Sequence, residues 1–499
     1  MALFPLSFFS QLKDYYNKNQ LIFLWRSLSL NTPTFYHIPN HPWVGDFTKA
    51  HRLLERFQGI GDDSHAKNMW EDASVKDSVY FHAFTWLSDL RAVGDNQSRR
   101  FMRRSILNWI RHYRHYQHLA WQPHVVGERL SSWMHHFEFF GQSADDDFLN
   151  VFYKSFYHQF RFLQTAALHL DPSYESLTAL KGLILCLLAY NLPLDKKYND
   201  VLQKFNHHLQ QNLFRDGFFV TCEPDHQLTV IKHLIELRNF MRVTHYAQAA
   251  SKAQHTMTKM VPPLRFFRHG DGRLSSLVGG ESHYSSSMVD SVLALSDVKG
   301  RHPQKSEEAG LERFQVGHNI LLFSMRYHPF PAQSSGNLQC EWSNGKDRLI
   351  KLCDMILENQ KGRPFQSRSM AHVYKKIDPE HVFIEAKIHD INHLHTREMY
   401  LSEAVDLRVC EKIRVNQKAY GALRFIIDSA FTIELLSENQ GVTLIPVKGQ
   451  PYRLQFSYID EIIVDTTMAL GGEGDNVIFA LFELNANTPK EIKWSFSQE

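Results

Sequence analysis

WQPHVVGERLSSW, Trp121 to Trp133, sets two indoles, a proline and an arginine along one short approach to a helix. Trp121, Arg129 and Trp133 are spaced by eight and then four residues. With Pro123 in the first helical turn, Arg129 and Trp133 sit one turn apart on one face. Two uses fit that face. Indole rings stack on sugars and a guanidinium pairs with a carboxylate, which makes the three residues candidates for substrate binding. The structural use is a pair of core tryptophans with Arg129 paired beside them, the commoner fate of tryptophan.

Outward from this segment the hydrophobic period is helical, from about residue 70 to 295. Tyr80, Ala83, Phe84, Leu87 and Leu90 form one stripe, and Met102, Ile106, Trp109, Ile110 and Tyr113 another. Leu177, Leu180, Ile184, Leu187 and Leu188 make a third, and Leu228, Ile231, Leu234 and Ile235 a fourth. SDVKGRHPQKSEEAG, Ser296 to Gly310, reads as a polar connector. Beyond it the period falls to two. Val382, Ile384, Ala386 and Ile388 alternate with Phe383, Glu385 and Lys387, and Tyr452, Leu454, Phe456 and Tyr458 with Arg453, Gln455 and Ser457. The expectation is an N-terminal α/α layered body over residues 1–300 and a C-terminal antiparallel β-sandwich over 310–499.

Composition narrows the function classes. A chain of 499 residues calls for at least two domains. Its 55 basic and 53 acidic residues nearly cancel, so no global field points to nucleic acid or a membrane surface. Five scattered cysteines form neither a disulfide framework nor a thiolate metal site. MALFPLSFFS, at the start, lacks the basic flank and small-residue cleavage site of a leader. GLILCLLAYNLPL, from Gly182, is too short for a membrane span and reads as a buried helix. A cytoplasmic protein is the first expectation, with the periplasm or cell envelope as the alternative.

Seven segments, in order, resemble the heparinase II/III-like polysaccharide lyases. They are YFHAFTWLSDL from Tyr80, the Trp121 segment, YESLTALKGLILC from Tyr174, RDGFFVTCEPDHQL from Arg215, PLRFFRHGDGRLSSLVGGE from Pro263, and the strands from Leu338 and His395. The resemblance implies a helical toroid followed by a β-sandwich. It implies β-elimination on an acidic, uronate-containing polysaccharide, with a base, a group that neutralises the uronate carboxylate, and an acid for the leaving oxygen. The family carries the neutraliser on an Asn–His pair, a catalytic Tyr in its SPMYH motif, and a His in the sandwich.

This sequence departs at all three places. Tyr174 and Glu175 stand at the Asn–His position, and a carboxylate there has the wrong sign for a neutraliser. His226 stands where the Tyr would be, and an imidazole can serve as a base near neutral pH. No His–Asn–Thr lies between Asp354 and Met370. Tyr174, Glu175 and His226 are therefore the catalytic candidates of a lyase reading. A binding or scaffold protein that has lost the chemistry is the alternative, and a glycoside hydrolase using Glu175 with Glu223 and Asp225 is a third. No cofactor or metal is expected: His389, His393 and His395, which would share one strand face, are only weak candidates for a structural zinc, and an exposed strand or loop is the favoured reading. HGDGR, from His269, reads as a turn with Gly270 and Gly272 at positive φ. His135–Phe137 and Asn206–His208 read as structural.

Overall fold

The computed structural model describes residues 33–57, 70, 75–190, 196–244, 246–278, 282–325, 337–363, 365, 371–390, 392–436, 440–465 and 475–499. The N-terminal decapeptide MALFPLSFFS lies outside them.

Eleven α-helices precede the strands among these residues: α1 (Phe47–Arg56), α2 (Val75–Ala83), α3 (Leu87–Val93), α4 (Asn96–Tyr113), α5 (Pro123–Gly141) and α6 (Asp146–Ala166). Then follow α7 (Tyr174–Ala189), α8 (Lys196–Gln211), α9 (Pro224–Val243), α10 (Ala247–Phe266) and α11 (Ser286–Leu295). Their starts follow from local chemistry. Asp46, Asp95 and Asp145 accept from free backbone N–H groups of the first turns of α1, α4 and α6. Ser173 and Ser176 close a reciprocal capping box on α7. Pro123 opens α5, where its missing N–H costs nothing. The stripe from Tyr80 to Leu90 is not one helix: Phe84, at φ 57°, breaks it between α2 and α3. The apolar run from Gly182 belongs to α7, buried as expected as far as Ala189.

One helix crossing positions the site described below. A Cβ on Gly182 would fall 2.3 Å from the Gly127 carbonyl oxygen, and one on Gly127 would fall 2.9 Å from the Ala179 Cα. Only paired glycines let α5 and α7 approach this closely. Their chain neighbours, Glu128 and Lys181, are brought together by the same contact.

Sixteen strands follow among the described residues. The first sheet contains β1 (Lys305–Ser306), β2 (Leu311–Val316), β3 (Asn319–Ser324), β4 (Asn337–Asn344) and β5 (Asp347–Asn359). The second takes β6 (His372–Ile377), β7 (His381–His389), β8 (His393–Ser402) and β9 (Asp406–Val415). After β10 (Ala419–Ile427) come β11 (Phe431–Leu435), β12 (Gly441–Pro446) and β13 (Tyr452–Ser457). The chain closes with β14 (Glu461–Asp465), β15 (Asn476–Leu484) and β16 (Lys490–Gln498). Sheet order is β1-β2-β3-β4-β5-β10-β15-β14 in one and β11-β12-β13-β16-β9-β8-β7-β6 in the other. Neighbouring strands within each sheet run antiparallel.

The two sheets meet water differently. Strand β3 is buried at every position and β5 nearly so, whereas β8, β9 and β13 alternate. An alternating pattern means one packed face and one open face. The second face of the first sheet is covered by the segment after α10, through the Arg313 guanidinium on the Phe266 carbonyl and the Glu341 carboxylate on the Ser276 N–H.

The chain packs as two compact units. One holds the described residues up to Asn212 with Val230–Met257, and the other holds Leu213–Thr229 with Thr258–Glu499. The change from helix to strand near 300–310 is thus not where packing divides. Residues 258–300 pack with the sandwich.

Candidate functional site

Trp121, Arg129 and Trp133 lie inside the helical unit, at 1%, 0% and 0% exposure. Trp109 stands at their centre, with the Arg129 guanidinium over its ring at 4.0 Å and Trp133 edge-on at 5.8 Å. Arg129 donates to Gln159 Oε1 at 2.6 Å and to the His82 and Ala120 carbonyls at 2.9 and 3.0 Å. Trp121 donates its indole N–H to the Tyr113 carbonyl. An indole with no face toward water has none for a sugar. The substrate-binding expectation for these three gives way to core packing.

The start of α7 is open. Tyr174 is half-buried and Glu175 exposed. Two turns deeper, Lys181 is 1% exposed and pairs with two carboxylates, Glu128 Oε2 at 2.9 Å and Glu236 Oε2 at 3.3 Å. Glu236 also accepts from the Trp43 indole N–H at 2.6 Å, and His233 Nε2 lies 3.9 Å from Glu128. Glu128 is 28% exposed, which makes it the outward edge of the network. His124 lies within electrostatic reach of both Glu175 and Glu128.

Burial penalises every charge here, but pairing wins for three of them. Against that penalty, Glu128 and Glu236 hold the Lys181 ammonium above the ordinary lysine value. Lys181 in turn holds both carboxyls below theirs, again despite burial. For the histidines, burial wins. It lowers His233 and His135 to about 4, helped at His233 by the Lys181 charge. At neutral pH the network is one buried ammonium, two carboxylates and neutral imidazoles, with the Lys232 ammonium, 5.2 Å over the Trp43 ring, as a second cation beside it. The sequence reading missed it. The legible signal was a lone lysine inside the apolar run of YESLTALKGLILC, which has no exposed face to reach from and needs a buried partner.

His226 lies in the other unit, on the first turn of α9. Its Nδ1 is 3.0 Å from the Thr221 hydroxyl, and its Nε2 is 3.5 Å from Glu223 Oε2. Both side chains keep partial access to water, at 23% and 19%. Asp225 does not serve His226: it accepts from the Ser282 hydroxyl and the His283 N–H. The surrounding motif is architectural. Gly217, at φ 89°, sits against the Lys259 carbonyl where a Cβ would fall 2.1 Å away, and Gln227 ties the Phe219 N–H to the Gly217 and Met260 carbonyls. Asp216 accepts from Ser306 on β1. Glu223 faces an imidazole and Asp225 is held by donors.

HGDGR is a docking turn. His269 Nδ1 meets the Ser343 hydroxyl at 2.6 Å, and His269 and Arg348 flank the buried Glu341. Gly272 has the expected positive φ of 82°, but Gly270 does not; it is needed because a Cβ there would strike the Gly345 carbonyl. The shared strand face of the three zinc candidates is also corrected. His389 ends β7, exposed, while His393 and His395 belong to β8 and are buried, with His395 Nε2 committed to Glu411 at 2.7 Å. No group of three His, Cys, Asp or Glu among the described residues could hold a metal ion. His208 bonds the Ser176 hydroxyl at 2.7 Å, and His135 and His136 are buried, as structural residues would be. Asp354, where the missing sandwich motif was sought, is instead paired by the Arg424 guanidinium; residues 364 and 366–370 lie outside the described set.

No protein-family model matches the chain. It is similar to the FtsZ-localized protein C of Caulobacter vibrioides, 25% identical over 288 residues. That match covers 55% of this chain and 48% of the relative, so the alignment spans about half the length of the curated protein. Among solved structures, heparinase III superposes with a TM-score of 0.67 at 12% identity, covering 99% of this chain and 91% of that one. A mutant of heparan sulfate lyase HepC from Pedobacter heparinus gives 0.55 at 12%, covering 98% and 88%. The fold is that of the heparinase III lyases over nearly the whole chain, a helical toroid followed by a β-sandwich.

Proposed function

We propose that this protein is a polysaccharide-recognition or scaffold protein built on the heparinase III fold, without the lyase reaction. The observation that carries this reading is the state of Lys181. It is the buried cation near the open start of α7, and two internal carboxylates already balance it. Elimination beside a uronate needs positive charge or donors free to meet the developing carboxylate charge. Here Glu175 is the exposed charge at the start of α7, and the Lys181 ammonium is already taken up by Glu128 and Glu236. The bacterial relative, named for where it localises rather than for a reaction, supports a scaffold role. A setting at the bacterial cell envelope or on the cytoplasmic side of it belongs to the same proposal. No helix among the described residues is long and apolar enough to cross a membrane.

A second reading, a lyase with His226 as base, has one observation in its favour. The imidazole is partly exposed and sits between a hydroxyl and a carboxylate, an arrangement that can take up and pass on a proton. One experiment separates the two. The purified protein is titrated calorimetrically with uronate polymers and neutral glycans while ultraviolet absorbance follows the unsaturated product of elimination. Binding without an absorbance rise supports recognition. A rise that His226→Ala abolishes establishes the lyase, and binding to no glycan overturns recognition.

A further inference from the structure

The open face of the second sheet carries an ordered row of side chains. Phe383 on β7 stands directly opposite Tyr400 on β8, Tyr400 opposite Arg408 on β9, Arg408 opposite Ser495 on β16, and Ser495 opposite Gln455 on β13. Because the register is unbroken, all five point to the same side. They run straight across five strands, about 19 Å at the usual inter-strand spacing. These residues line a depression of about 380 Å³, a size that accepts a small ligand. A second hollow continues from it and shares Arg408, Gln455 and Ser495.

We propose that this trough binds an extended, uncharged stretch of glycan. The choice of occupant follows from the charges on the face. Arg408 pairs with Asp406 at 2.9 Å, Lys493 with Glu491 at 3.0 Å, and Lys412 with Glu398 at 2.5 Å. With each of these cations balanced by a neighbour, the depression itself gives little net pull on an anionic polymer; the further cations of this face, Lys376, Lys387 and Arg414, do not line it. What it offers is an aromatic pair at one end, with Tyr400 37% exposed, and planar or hydroxyl hydrogen-bonding groups at the other. An aromatic face against the C–H face of a pyranose, followed by amide, guanidinium and hydroxyl groups for its oxygens, suits a neutral sugar chain. Strands β3 and β5 at the middle of the first sheet offer no such face, being buried on both sides. This inference rests on the recognition reading and gives it a location and a ligand class.

The test uses the full chain and three soluble probes: hydroxyethylcellulose, a β-1,3-glucan and an N-acetylglucosamine hexamer, with chondroitin as the anionic control. Affinity electrophoresis and calorimetry compare the wild type with the Phe383→Ala/Tyr400→Ala variant and with Gln455→Ala. Binding of a neutral probe tighter than chondroitin, weakened at least tenfold in the double variant at an unchanged melting temperature, is the expected result. Neutral-probe binding that survives the double substitution overturns the trough and leaves recognition standing. Failure of every probe to bind the wild type overturns both.

Discussion

Arg129 and Lys181 are both cations withdrawn from water in the helical unit, and they are balanced by opposite means. Arg129 donates through Nε and Nη1 to an amide oxygen and two carbonyls and lies over an indole face, with its buried Nη2 unpartnered and no carboxylate among those partners. Lys181 has two carboxylates and an exposed edge at Glu128. The contrast follows from side-chain chemistry: a planar, weakly hydrated guanidinium can be shared among neutral acceptors, whereas a compact ammonium needs full counter-charge. Neither cation is free to meet a substrate carboxylate. One is walled in, and the other is already paired internally.

Acid should give the largest effect on the helical unit. His135 and His233 are held near 4 against an ordinary value of 6.5. Their folded values are depressed, so the unfolded chain binds protons first. Stability is therefore intact above pH 6.5 and is lost as pH falls toward 4. Glu128 and Glu236, also depressed, add a loss in the same direction below the ordinary carboxyl value of 4.5. The combined loss is on the order of several kcal/mol. Urea titrations between pH 7 and 4 should show helical circular dichroism lost at progressively lower denaturant. A midpoint that stays level across that range would contradict the assignment of neutral buried imidazoles.

Lys181→Met sharpens the comparison next. It strands two buried carboxylates, and a loss of about 3–5 kcal/mol is expected. Adding Glu236→Gln should restore part of it. A double-mutant cycle with no coupling would break the claim that the lysine's charge is taken up internally. Arg129→Lys tests the other side with a smaller change. The charge is kept but the fork is lost, leaving the His82 and Ala120 carbonyls or Gln159 without a donor, for about 1–3 kcal/mol in denaturant unfolding. A variant as stable as the wild type would mean that Arg129 is not held by its fork.

The period change made the order of helices and strands legible, and Pro123 fixed the start of α5. Alternation along β7 and β13 also marked them as strands with two unlike faces. The helical stripe could not show the break at Phe84, because a positive φ at an aromatic residue leaves no mark in an apolar pattern. Nor could spacing separate a sugar-facing tryptophan from a buried one. Trp121 and Trp133 have the same helical register either way, and only the ring of Trp109, Phe84 and Phe152 around them decides it. The Lys181 network escaped because its members are drawn from three helices far apart in sequence, Glu128, Lys181 and Glu236. Only the Gly127–Gly182 crossing brings the first two together. His389 was misplaced with His393 and His395 because the turn between β7 and β8 is one that a run of histidines conceals.

The most direct test of the central claim is the ultraviolet absorbance of the purified protein incubated with heparan sulfate, chondroitin and alginate, with calorimetric binding to the glycan panel read alongside. Binding with a flat absorbance trace in both the wild type and His226→Ala is the predicted result. A rise in the wild type that disappears in His226→Ala would contradict it, since the internal pairing of Lys181 would then not have prevented elimination.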